Sequence, residues 1–222
     1  MKRVLVLLIL LGACTSSTYA NYDTLVAFTG VGPTETAHVW GGGQNGLYVY
    51  SGVLNLTVDG QSRPGFCVDL TKEAAQSPTL YEPISVQNYL GPEKAMYFTE
   101  LYNKHYSTNW TNVEASAFQM SVWEIIYENV PKNAGMYDVT IDGTDGQMGF
   151  FCSGPTTKMA NSWLHLLDGT GPRVPVTIVQ SKLYQNYAIA SVPEPSTLVL
   201  LLLCTPLAFG KMVNRWRRTI SR

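Results

Sequence analysis

The sequence predicts an α+β domain in which antiparallel β hairpins, arranged as a sandwich or barrel, pack against a small set of helices. Three observations carry this reading. Short β-rich runs recur with turn residues between them: 47–58 alternates through Tyr48, Tyr50, Leu54, Leu56 and Val58, then meets Asp59-Gly60, a hairpin signal, and a return strand at 63–70. Two stretches, 93–106 and 112–129, instead space their apolar residues for helices. The composition of the 222 residues, 45% hydrophobic and 14% charged with a net charge of −1, suits one medium domain plus accessory segments. Near-neutral charge without a central basic cluster excludes nucleic acid as a partner.

The chain divides into 1–20, 21–190 and 191–222. Within the middle unit, 24–28 reads as a strand and 30–46 as loop. Gly41-Gly42-Gly43 lacks the strand-to-helix setting and the Lys-Ser/Thr ending of a phosphate loop, so it reads as a flexible turn. Residues 77–92, with Pro78, Pro83 and Pro92, read as a connection. Pro92 then opens a helix over 93–106 that buries Ala95, Met96, Phe98, Leu101 and Tyr102. Thr111 and Glu114 form a capping box for the helix 112–129, whose stripe of Ala115, Val122 and Ile126 is flanked by Phe118, Trp123 and Ile125 before Pro131. These two helices are expected to pair and close over the hairpin. A strand at 137–141 follows. Asp142, Thr144 and Asp145 lack the bidentate Glu of a calcium loop, so they read as turns and no metal or other cofactor is expected. A helix capped by Thr156 or Thr157 runs to Asp168, burying Met159, Ala160, Trp163, Leu164 and Leu167. A hairpin of 174–180 and 183–190 completes the domain.

Gln119 stands on the apolar stripe of the second helix. A buried primary amide has four hydrogen-bonding valences and costs a few kcal/mol if they go unmet. One answer is hydrogen bonding to a neighbouring loop backbone; the other is a covalent bond from its carbonyl carbon to a cysteine sulfur, that of Cys67 on the return strand. Cys67 lies in Gly65-Phe66-Cys67-Val68-Asp69-Leu70, an aromatic-Cys-aliphatic step, and Gln119 in Phe118-Gln119-Met120-Ser121-Val122-Trp123, an apolar-Gln-x-x-apolar-Trp step. In that order the two steps resemble the internal thioester domains of bacterial surface proteins, although Phe118 stands where the best-known adhesins have Thr. The resemblance implies a Cys67–Gln119 thioester shielded by Phe66, Phe118 and Trp123, with Asp69, expected to face solvent, and Glu124 available for proton transfer. An amine or hydroxyl of a protein or surface polysaccharide would displace the sulfur once, so no turnover enzyme is expected.

Three rivals use the same residues. Cys67 and Cys152, the cysteines outside the terminal segments, would be expected to form a disulfide in an oxidising exterior. A cysteine hydrolase would need His38, His105 or His165 as its base, but no peptidase-like flank surrounds Cys67. A noncatalytic matrix protein would use its 13 tyrosines and its tryptophans to stack on exopolysaccharide.

The ends point to export. Lys2 and Arg3, an apolar run at 4–11 and Thr18-Tyr19-Ala20 make 1–20 a signal peptide, with a secondary lipoprotein-like box ending at Cys14. At the other end, Val192-Pro193-Glu194-Pro195 precedes an apolar run at 198–210 and a basic tail with Lys211, Arg215, Arg217 and Arg218. The run is short for a bilayer helix, and the basic tail would stay cytoplasmic. This order resembles the PEP-CTERM sorting signal of Gram-negative bacteria. The resemblance implies an inner-membrane intermediate, cleavage by an exosortase near 193–195, and delivery to the cell surface or a biofilm matrix with exopolysaccharide.

Overall fold

The computed structural model describes residues 23–129, 137–141, 149–172 and 174–190; the stretches expected to be a signal peptide (1–20), a sorting signal (191–222) and a turn (142–146) lie outside them. The described chain is α+β, as the sequence predicts, with an antiparallel sheet and few helices. Its strands are β1 (Thr24–Gly41), β2 (Gln44–Val58), β3 (Gln61–Cys67), β4 (Thr79–Ser85), β5 (Phe151–Ser153), β6 (Val176–Gln180) and β7 (Tyr187–Ala190). Its helices are α1 (Val86–Leu90), α2 (Pro92–His105), α3 (Asn112–Tyr127) and α4 (Thr157–Leu164). Neighbours run β1-β2-β3-β7-β6-β4 and back to β1, so the strands close an antiparallel ring and β5 hangs on the far half of β1. Of the two arrangements anticipated, the ring is the barrel. Among the described residues no helix is long and apolar enough to cross a membrane.

The turn that sets the register is the predicted one. Asp59 and Gly60 both have positive φ, 49° and 78°, as a two-residue hairpin turn demands. Asp59 also accepts the Leu25 N–H at 2.9 Å, tying the turn to β1. The stretch 30–46, expected as loop, is instead mostly strand. Its glycines and Pro33 do not end β1, because register shifts between Phe28 and Gly30 and between Val31 and Thr34 absorb the irregular residues as bulges while β2 keeps the ladder supplied. Likewise β4 and α1 occupy the expected connection 77–92. Pro83, which has no N–H, is accommodated opposite Val179, and the Ser85 hydroxyl caps α1 by accepting the Asn88 N–H.

The stretch 137–141 forms no strand. Asp138 folds it into a turn by accepting the Thr140 N–H and hydroxyl, and Asn161 takes the Val139 N–H. At α4 the Thr156 side chain does not cap; its hydroxyl turns inward to Ser116 and Met120. The helix stops at Leu164 rather than reaching Asp168, and Met96, Met159 and Trp163 are only partly buried.

The helix α3 carries the predicted capping box, with Thr111 accepting the Glu114 N–H and the Glu114 carboxylate accepting the Thr111 N–H. Its burial exceeds a single stripe: every residue from Ala115 through Ile125 is buried, while Ile126 is half exposed. A helix covered all round is one the whole domain packs upon. Its polar residues are met individually. Ser51 donates to the Ser116 carbonyl at 3.0 Å, Ser121 donates to Ala117 at 2.9 Å, and Glu124 accepts the Asp138 N–H at 2.9 Å.

The β1–β2 tip folds back onto this helix. Gln44 donates through Nε2 to the Leu70 carbonyl at 2.5 Å, and Gly42, at φ +56°, lies so close to the Tyr127 ring that a Cβ there would sit 2.8 Å from it. The glycine triplet is therefore a packed corner. Gly42→Ala is expected to cost about 2 kcal/mol from positive φ and crowding together, read as a lower urea midpoint.

Candidate functional site

The site begins where β3 ends. Cys67 pairs with Tyr187 of β7 and is 4% exposed, and α3 delivers Gln119, 1% exposed, to its backbone across 52 residues of sequence. The Cys67 N–H donates to Gln119 Oε1 at 2.8 Å, and Gln119 Nε2 donates to the Cys67 carbonyl at 2.9 Å. A side-chain amide thus plays the part of a neighbouring strand, and both peptide groups flanking the Cys67 side chain are committed to it. Of the two answers anticipated for Gln119, the structure shows pairing with backbone, and that backbone is the one of Cys67.

The same helical stripe continues along the chain beyond β3. Tyr127, eight residues after Gln119, accepts the Leu70 N–H at 2.8 Å and donates to the Val68 carbonyl at 3.5 Å. Tyr89 also donates to that carbonyl at 3.2 Å, and the Val68 N–H donates to the Asn186 carbonyl at 3.0 Å. Backbone motion at Cys67 is therefore restrained from both sides. The thiol donates to the Asp69 carbonyl at 3.3 Å. Burial pushes its pKa up to about 12, against a smaller downward pull from the neighbouring Trp123 indole N–H, which closes no full hydrogen bond. The sulfur is thus a neutral thiol at physiological pH. Above Cys67 and Trp123 opens a cleft of about 430 Å³, bounded by Tyr50 and Leu54 of the hairpin and by Lys72 and Glu73.

Several expectations are corrected. Phe66 and Phe118, expected to shield the sulfur, pack on each other and on neighbouring rings, since alternation along β3 and rotation along α3 direct them away from the Cys67 and Gln119 side chains. Their rings, 4.7 Å apart, belong to an aromatic cluster with Tyr102, Tyr106 and Trp110. Trp123, the third residue expected around the sulfur, lines the same cleft as Cys67 and acts on its thiol. Asp69 does not face solvent; it is 8% exposed and accepts from the Thr71 N–H and hydroxyl while pairing with Lys72 at 3.0 Å. Burial alone would raise its pKa, but these partners hold the carboxyl below its ordinary value. Glu124 serves Asp138 and acts electrostatically on Cys152.

Cys67 and Cys152 are both free thiols, not a disulfide. Cys152 sits on β5 opposite Val39, toward the tip of the hairpin, whereas Cys67 ends β3 against β7. The histidines a hydrolase would need are engaged elsewhere: His38 stacks on Tyr48, His105 on Trp163, and His165 stands 4.0 Å from Asp138. Among the described residues no group of His, Cys, Asp and Glu is placed to hold a metal ion. Of the residues the sequence did not single out, Tyr127 was legible, since it continues the i, i+4, i+8 row of Gln119 and Trp123. Lys72 was also within reach, five residues after Cys67 and three after Asp69, whereas Tyr89 and Asn186 come from separate segments and no sequence spacing connects them to Cys67.

No protein-family model and no curated protein matches the chain. Among solved structures, the N-terminal domain of the Streptococcus pyogenes pilus tip adhesin Cpa is similar, with a TM-score of 0.37 and 13% identity over 77% of this chain and 97% of that one. At that distance the functional reading rests on the Cys67–Gln119 geometry.

Gln119→Ala would strand the Cys67 N–H and carbonyl and open a cavity, so unfolding free energy should fall by about 3 kcal/mol in urea titration. Stability should also depend on alkaline pH. Cys152, raised from 9.0 to about 12 chiefly by burial and then by Glu124, contributes stability that is complete below pH 9 and lost as pH rises toward 12. The urea midpoint should decline across that window, and less steeply in Cys152→Ser.

Proposed function

We propose that this is an exported surface protein that closes a Cys67–Gln119 thioester and uses it once to attach itself covalently to a partner. The observation that supports the reading is the reciprocal hydrogen bonding of one side-chain amide to the backbone of one cysteine. A structural role alone requires only that the amide be paired. Here the paired backbone also carries the nucleophile, and the Cys67 N–H already polarises the carbonyl that would be attacked.

In the closing step Sγ bonds to the Gln119 amide carbon, the C–N bond breaks, and the thiol proton leaves with the nitrogen as ammonia. A thiol with a pKa near 12 is a poor nucleophile, so the rate must come from orientation, where effective molarities reach roughly 10⁵ M. The Cys67 N–H is placed to stabilise the developing oxyanion. Loss of ammonia removes the donor that the Cys67 carbonyl uses, leaving a buried acceptor unmet at a cost of about 1–3 kcal/mol. A primary amine restores an N–H at that position when it displaces sulfur, whereas an alcohol gives an ester without one. Amine partners are therefore favoured over hydroxyls.

The termini supply the setting. The apparent signal at 1–20 and the Val192-Pro193-Glu194-Pro195 segment with its basic tail support export, exosortase processing and a surface or matrix address. A noncovalent polysaccharide-binding role is the second reading, favoured by the strongly exposed Tyr48 and Tyr50. Intact-mass spectrometry separates them. The thioester reading expects a mass about 17 Da below the sequence value for the processed chain, a gain of about 31 Da with methylamine, and neither change in Cys67→Ala. A wild-type mass equal to the sequence value and inert to methylamine refutes it.

A further inference from the structure

The cleft above Cys67 continues into a row of aromatic rings on the outer face of the hairpin. Tyr50, 67% exposed, borders the cleft; Tyr48, 70% exposed, lies two residues along the same face of β2, a step of about 7 Å. The Tyr48 ring stacks on His38 at 4.1 Å and 4°, His38 contacts Trp40 at 3.9 Å, and Trp40 meets Phe151 at 5.1 Å. The rings come from three adjacent strands in register, since His38 lies opposite Tyr48 on one side and Ser153 on the other, with Phe151 opposite Trp40. Their backbone is fixed by the ladder, so the row exists before any ligand arrives.

We propose that this row binds a polysaccharide bearing free primary amines and feeds one of them to the cleft; the proposal rests on the thioester reading and names its substrate. Pyranose rings offer C–H faces that lie flat on aromatic rings, and a row several rings long fits a polymer better than a single small amine. Charge at the cleft points the same way. The Lys72 ammonium is held by Asp69 and the Ser181 carbonyl, each at 3.0 Å, while exposed Glu73 contributes a carboxylate to the rim where an ammonium group would approach. An amino sugar combines the stacking face with the nucleophile that the Cys67 carbonyl favours. In the reaction the sugar nitrogen bonds to the Gln119 carbonyl carbon, the C–S bond breaks, and the proton lost by the amine goes to sulfur, regenerating the Cys67 thiol.

The test follows adduct mass on the intact chain with glucosamine, its β-1,4-linked tetramer, the N-acetylated tetramer, a lysine-containing peptide and methylamine. Glucosamine and its tetramer present chemically similar amines, so a difference in rate reports the extended row. The tetramer should add about tenfold faster than glucosamine at equal amine concentration. The N-acetylated tetramer should slow that reaction without adding mass. Tyr48→Ala and Trp40→Ala should each remove the advantage while leaving the methylamine rate unchanged, which also shows that the variants are folded. Equal rates for monomer and tetramer, an advantage that survives both substitutions, or faster reaction of the lysine peptide overturns the proposal. Failure of methylamine to add to the wild-type chain overturns the thioester reading and this substrate with it.

Discussion

A primary amide in the middle of a helix buried on every side must find both a donor and an acceptor, and in this protein a single residue supplies the two. The pairing of Gln119 with the Cys67 peptide groups fixes where α3 sits relative to β3. The rest of the described domain follows from that seating. The hairpin covers one side of α3, and the Lys94 ammonium of α2 donates to the Ile126 carbonyl at 2.6 Å near its C-terminal end. Tyr127 extends the contact along the chain toward Leu70. Ladder bonding in β3 ends where side-chain bonding from α3 begins.

The arrangement concentrates polar requirements at one end of the ring. Val68 and Leu70 lie beyond β3, yet their backbone groups are met by Tyr89, Tyr127, Gln44 and the Asn186 carbonyl. Each of these partners comes from a different part of the chain. A segment held this way cannot shift without exposing several buried donors and acceptors at once. The same closeness excludes water, which explains why the thiol is so reluctant to ionise.

Misplaced expectations share a cause. The stretch 30–46 reads as loop because local propensity counts glycine and proline as breakers. A long partner strand and two bulges supply the ladder regardless, and β1 runs through. The segment at 137–141 has a strand-like composition, but Asp138 offers its backbone a side-chain alternative, and the turn prevails. Phe66 and Phe118 adjoin Cys67 and Gln119 in sequence, which by itself suggests that they surround the sulfur. In a strand or a helix, adjacency in sequence sends side chains to different faces.

From the sequence alone came the helix 112–129 with its capping box, the hairpin at Asp59-Gly60, the α+β class and the need of Gln119 for a buried partner. These depend on spacing within short windows, or on a polar residue whose burial demanded a partner. Only the tertiary structure decided that the strands close into a ring, that Cys152 stays apart from Cys67, and that Tyr89 and Asn186 gather at the end of β3. Those outcomes depend on which distant segments meet, and that choice is made by burial summed over the whole core, a quantity no local window contains.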